Sequence, residues 1–289
     1  MEEQVSTRPA GVPVAGILDA VAATMRQERG ELNVLSSFAG DATLGTRLER
    51  AFRDAADAVA GSGTGRAGED LQLAGQVLTD PAAGYGQAAR YLGQGLILAG
   101  HQFLDRETLS LADLGPLLTS LLQGSQQDNP AQPGQGTLLD VLIPAATAYS
   151  NAVQARLTDQ QAIQGAVGAA MSGVRSTANM VQPFNRHRKG RANEPTGRPD
   201  PGAVAAQTLI TGLITGLLGD IVPATPPGQT TNNFLLNLLQ QGIDRGGRVA
   251  GPPRPRDVET LLAGTRRAGP RPGAAPVDPR PGQDAAREG

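Results

Sequence analysis

The sequence predicts an all-α protein, and three observations carry that prediction. Apolar residues recur at helical spacing along most of the chain. No segment alternates apolar and polar residues as a half-buried strand would. Aromatic residues make up only 3%, with no Trp, so Ala and Leu must fill the core, which suits close-packed helices better than a β-sandwich. The 289 residues, 39% of them hydrophobic, suffice for one large domain. With Cys 0 and His 2 (His101 and His187), a disulfide scaffold, thiolate zinc sites, cysteine nucleophiles and a His-rich metal site are excluded.

The elements follow in order. Val14, Ile17, Leu18, Val21 and Met25 form one amphipathic stripe, with Pro13 suited to the first turn and Gly30 to the end. Leu44, Leu48, Phe52, Ala56 and Val59 form a second, stopping at Gly61-Ser-Gly63. Further helices are expected over 68–79, 86–101, 109–123, 137–156, 158–182 and 202–221. The links carry turn chemistry, as at Asp80-Pro81, Asp128-Asn129-Pro130 and Pro133-Gly134. The reading is an antiparallel bundle. Its domain spans 12–222. Residues 223–289 form a Pro- and Arg-rich extension with one helix expected near Asn232 to Ile243, and most of it is expected to be disordered.

The net charge of −2 points to no partner class. Nine Arg against five acidic residues make 245–289 locally basic, so the remainder is acidic. The acidic start Met1-Glu2-Glu3-Gln4 does not read as a leader, and a cytoplasmic location is expected. The apolar run Ala203 to Gly219 is interrupted by Gln207, Thr208, Thr211 and Thr215. It reads as a buried helix, not a membrane span, with Gly212 and Gly216 in a small-xxx-small packing pattern.

Four segments carry a family resemblance. Leu32-Asn-Val-Leu35-Ser36-Ser-Phe-Ala-Gly40-Asp41-Ala-Thr43-Leu44-Gly45-Thr46-Arg-Leu48 sets a Gly-Asp turn between two amphipathic helices. Gly134-Gln135-Gly136-Thr137-Leu-Leu-Asp140, Arg188-Lys189-Gly190-Arg191-Ala192 and Asp200-Pro201-Gly202-Ala203 follow in order. Together they resemble the DhaL-type nucleotide-binding domain of dihydroxyacetone (glycerone) kinases, over about residues 12–222. The resemblance implies a barrel of eight antiparallel helices with ADP or ATP at one end. It also implies three aspartates holding two magnesium ions against the phosphates, and a partner subunit that holds the substrate.

At those three acidic positions this chain has Ser36, Asp41 and Thr43. One carboxylate of three does little to offset two divalent charges, so magnesium binding is expected to be strongly weakened. The family's Gly- and Ser-rich nucleotide loop corresponds to Tyr85-Gly86-Gln87-Ala88-Ala89-Arg90-Tyr91-Leu92-Gly93, where Ala88 replaces Ser, Ala89 replaces Gly and Tyr85 adds bulk. Gln135 and Gly136 replace an Asp-Lys pair, and Arg198 stands nearest to a second phosphate-contacting arginine.

The ligand-binding candidates are therefore Gly45, Thr46, Gly86, Ala88, Gly93, Thr137, Arg191 and Asp200, with Asp41 as a weak metal ligand. Each has a plainer reading. Asp41 caps the helix starting near Thr43, Thr137 caps the helix after it, and Asp200 forms the turn before Pro201. The run Arg186 to Arg191 is a phosphate clamp, a solvated loop or, least favoured, a nucleic-acid patch. His101 is structural at a helix end. Three functions are weighed. The favoured one is a ligand- or partner-binding protein that has lost magnesium-dependent phosphoryl transfer. The others are an active kinase working with a substrate-binding partner, and a different enzyme on the same scaffold.

Overall fold

The computed structural model describes residues 11–127, 129–182 and 195–219, all within Met1–Gly242, the first of the two units into which the chain divides. The expected extension 223–289, its helix near 232–243 and the Arg186–Arg191 loop lie outside the described residues.

The described residues form eight α-helices: α1 (Val14–Ser37), α2 (Leu44–Ser62), α3 (Ala67–Thr79), α4 (Gln87–Gln102), α5 (Leu114–Gln126), α6 (Leu139–Gln154), α7 (Asp159–Thr177) and α8 (Pro201–Leu218). Among the described residues β-structure amounts to one isolated bridge, Val12 to Leu109. The all-α fold expected from the sequence is the fold observed.

Three boundaries differ from the periodicity by five residues or more. α1 runs two turns past Gly30, because Glu28, Leu32 and Ser36 extend its buried stripe. Gly30 itself is exposed, and its cost of about 1 kcal/mol is outweighed by burying Leu32. α5 starts at Leu114, later than 109, since Ser110 and Asp113 close a capping box around a short 3-10 turn. α7 stops at Thr177, five residues before 182. At the other end of α2, Gly63 takes the left-handed conformation (φ 63°) that terminates a helix.

Each helix packs on the next in sequence, and α8 returns to pack on α1, so the eight close into a ring. Neighbours run antiparallel. Gly68 faces Gly100 and Gly75 faces Gly93 across α3 and α4, while Val21 faces Gly212 and Ile17 faces Gly216 across α1 and α8. The core draws on all eight helices, with Phe52, Met25, Leu96, Leu117 and Leu118 fully enclosed.

α8 is long and apolar enough by itself to cross a membrane, with a mean hydropathy of 1.4 over 18 residues. In this fold 72% of it is buried against its neighbours. Its glycines bring it into backbone contact with α1: a Cβ on Gly212 would stand 2.7 Å from Val21 Cα, and one on Gly216 2.7 Å from Ile17 Cα. The small-xxx-small pattern is thus a helix-packing device inside the protein.

Gly212→Ala is therefore expected to lower unfolding free energy by about 1–3 kcal/mol through overpacking. Gly168→Ala, exposed in α7 with nothing within 4 Å of the added carbon, should raise it by roughly 0.5–1 kcal/mol. Urea unfolding of both variants checks the pair.

Candidate ligand site

In an up-and-down ring, alternate links emerge at the same end. The α1–α2, α3–α4, α5–α6 and α7–α8 links therefore gather at one end. The described sequence segments singled out above lie in those links or in the helix turns beside them. Three contacts join them. A Cβ added to Gly86 would lie 3.3 Å from Arg47 Nη2, the Arg198 guanidinium sits 3.5 Å above the Phe38 ring, and the Asp140 and Asp200 carboxylates interact.

In the α1–α2 link, Asp41 Oδ1 accepts hydrogen bonds from the Thr43 backbone N–H (3.1 Å) and the Thr43 hydroxyl (2.7 Å). Asp41 Oδ2 pairs with the Arg47 guanidinium, one turn into α2. Partial burial pushes the Asp41 carboxyl up, but Thr43 and Arg47 outweigh it and leave it below the usual carboxylate range. Ser36 is buried, and its hydroxyl donates to the Asn33 carbonyl (3.2 Å). The Asx turn at Asp41 precedes α2 by one position, so Asp41 binds the residue before the helix, not the first helical amides.

In the α3–α4 link, Gly86 has φ 89°, a backbone conformation that suits glycine. Beside it lies a hollow of about 570 Å³, lined by residues including Asp80, Tyr85, Gly86, Gln87 and Arg90. Tyr85 adds less bulk there than its size suggests. Its ring is buried, its hydroxyl donates to Asp54 (2.6 Å), and Arg50 lies over the ring at 5.0 Å. Burial and the Asp54 bond push the phenol up to about 12.

The α7–α8 link forms a second hollow of about 280 Å³ with the end of α1, between Leu35, Phe38, Gln182, Thr196, Arg198 and Pro201. Nearby, Asp140 accepts from the Gly134 (2.5 Å) and Thr137 (2.8 Å) amides, and the Thr137 hydroxyl accepts from Leu139. Asp200 caps α8: its Oδ1 accepts from the Ala203 amide (2.8 Å), and its own amide donates to the Thr177 hydroxyl (2.9 Å). Asp200 is half-buried as a residue, but its carboxyl is enclosed. That burial raises it to about 7, with Asp140 adding to the rise and the Ala203 and Gly202 amides opposing it.

The structure separates the predicted ligand candidates. Gly86, Ala88, Thr137 and Asp200 do lie at this end. Gly45 and Gly93 are buried in helix contacts instead: a Cβ on Gly45 would meet the Arg29 carbonyl at 2.3 Å, and one on Gly93 the Gly75 carbonyl at 2.8 Å. Both are glycines because neighbouring helix backbones touch there, not because a ligand approaches. Thr46 is exposed and exchanges hydrogen bonds with Asn33. Arg191 lies outside the described residues. Arg47 and Phe38 were missed. The signal for Arg47 was a cation six positions after Asp41, one helical turn beyond the link.

A family model described as the DAK2 domain matches residues 38–215. The chain belongs to this family. An L-erythrulose kinase of Pectobacterium atrosepticum is 27% identical over 229 residues, covering 75% of this chain and 36% of that protein. The ADP-binding subunit DhaL of the PEP-dependent dihydroxyacetone kinase of Escherichia coli is 25% identical over 175 residues, covering 59% of this chain and 80% of that one. This DAK2 chain thus spans about a third of the first relative and most of the second. Among solved structures, the native dihydroxyacetone kinase of C. freundii matches with a TM-score of 0.52 at 23% identity, over 74% of this chain and 37% of that one. The same kinase in complex with AMP-PNP and magnesium matches with a TM-score of 0.50 over 74% and 36%. At that identity the likeness establishes the fold.

The raised Asp200 carboxyl sets a pH dependence. Its folded pKa exceeds the unfolded value of about 4, so the folded state holds the extra proton between about pH 4 and about pH 7. This group's contribution to stability therefore falls as pH rises through that window. Asp200→Asn keeps the helix cap and should flatten that part of the curve, read as melting temperature against pH.

Proposed function

We propose that this DAK2 domain binds a small ligand or a partner at its four-link end and has lost magnesium-dependent phosphoryl transfer. The observation that carries the proposal is the state of Asp41. It is the one carboxylate at the three positions where the resemblance implies metal ligands, and both its oxygens are already engaged by Thr43 and Arg47. The hydroxyls at the other two positions donate elsewhere, Ser36 to Asn33 and Thr43 to Asp41. No group of three or more His, Cys, Asp or Glu among the described residues could hold a metal ion. Such a donor set does not fit a magnesium pair, because magnesium dehydrates reluctantly and is held by carboxylates together with phosphate oxygens. Phosphoryl transfer draws its rate from positioning and metal-borne charge neutralisation, so it loses its main source of catalysis here.

A second reading is supported by the relatives. Two of them are described as kinases or kinase subunits, and the chain covers 80% of an ADP-binding one. On that reading the chain binds ADP or ATP and phosphorylates dihydroxyacetone or a similar substrate held by a partner subunit.

Calorimetry with ADP and ATP, in magnesium and in chelator, separates the two. The favoured reading predicts affinities that differ by less than about twofold between the two buffers. Tight nucleotide binding that vanishes on chelation would establish the second reading and remove the first.

A further inference from the structure

Arg47 joins two of the four links. Its Nη2 pairs with Asp41 in the α1–α2 link. The same guanidinium lies against Gly86 in the α3–α4 link, where an added Cβ would stand 3.3 Å from Nη2 and 3.4 Å from both Cζ and Nε. The side chain is 29% exposed, yet its Nε is buried with no hydrogen-bond partner. A buried donor left unpaired is uncommon, since losing its hydration costs about 1–3 kcal/mol. The guanidinium therefore holds one carboxylate and keeps an unmet, buried donor against Gly86, which lines the larger hollow.

We propose that Arg47 is a resident cation: it occupies the electrostatic place of a divalent metal at Asp41, and it makes this end a metal-independent site for a phosphate-bearing ligand. The inference rests on the reading that magnesium chemistry has been lost. A guanidinium suits the role. It stays charged at all working pH values, is less strongly hydrated than a metal ion, and presents several donors in a fixed plane to phosphate oxygens. Arg90 in the hollow wall and Arg50 over Tyr85 add positive charge, while Asp54 and Asp80 oppose it. The balance predicts modest affinity, with Arg47 as the main determinant.

Gly86 is part of the device. With φ 89° and Arg47 against its open face, any side chain there would both strain the backbone and displace the guanidinium.

The test is titration of the full chain with pyrophosphate, and separately with ADP, in the presence of chelator. Wild-type protein, Arg47→Lys and Arg47→Ala are compared, each confirmed folded by circular dichroism. The expected result is binding that magnesium does not strengthen. It should fall by roughly tenfold or more in Arg47→Ala and recover in part in Arg47→Lys, which restores the charge without the fork. A merely structural Arg47 would alter melting temperature without this rank order in affinity. Absence of pyrophosphate and ADP binding in chelator, or equal binding by wild type and Arg47→Ala, overturns the inference. If magnesium also fails to promote binding, the loss of metal chemistry still stands. If it promotes tight binding, both readings fall.

Discussion

The ion pair between Asp41 and Arg47 is the interaction on which this account turns. A carboxylate at the mouth of a helical ring can hold a metal, cap a turn or neutralise a guanidinium, but two oxygens limit how much it does at once. Here one oxygen serves the Asx turn that launches α2, and the other serves Arg47. The positive charge paired with Asp41 is the chain's own Arg47. That choice has a local structural benefit as well, because the arginine ties the α1–α2 link to the α3–α4 link through Gly86.

The ring explains why those links meet at all. Antiparallel neighbours place every second link at one end, and close backbone contacts fix each helix against the next. The contacts depend on glycine where Cα atoms nearly touch. Gly124 on Gly95 and Gly45 on Arg29 leave no room for a side chain, as Gly212 and Gly216 leave none on α1. A core of Ala and Leu, with few aromatics, is the natural filling for helices drawn this close. These close contacts set the helices against one another, and Gly86, Thr137 and Asp200 come together at the end where the four links emerge.

Much of the fold was legible in the sequence. Helical stripes located all eight helices, and the Gly61-Ser-Gly63 stop and the Asp200-Pro201 start hold in the structure. Gly30 misled because its propensity is local, whereas the burial of Leu32 and Ser36 that carries α1 onward is tertiary. The site was less legible. A motif shows which residues share a link but not which partner each one takes, so Gly45 and Gly93 read as ligand contacts although helix backbones occupy their open faces. Arg47 went unnoticed because counting carboxylates does not reveal a cation one turn away on a neighbouring helix. Asp200 read correctly as a helix start, but its raised carboxyl depends on enclosure and on Asp140, sixty positions earlier in the chain.

The most direct measurement is the titration of the Asp41 carboxyl carbon by NMR, with and without millimolar magnesium. The account predicts a midpoint below the ordinary carboxylate range, set by Thr43 and Arg47 and unmoved by the metal. A midpoint in the ordinary range, or one that magnesium drives further down, would show that the carboxylate is available to a metal and would contradict it.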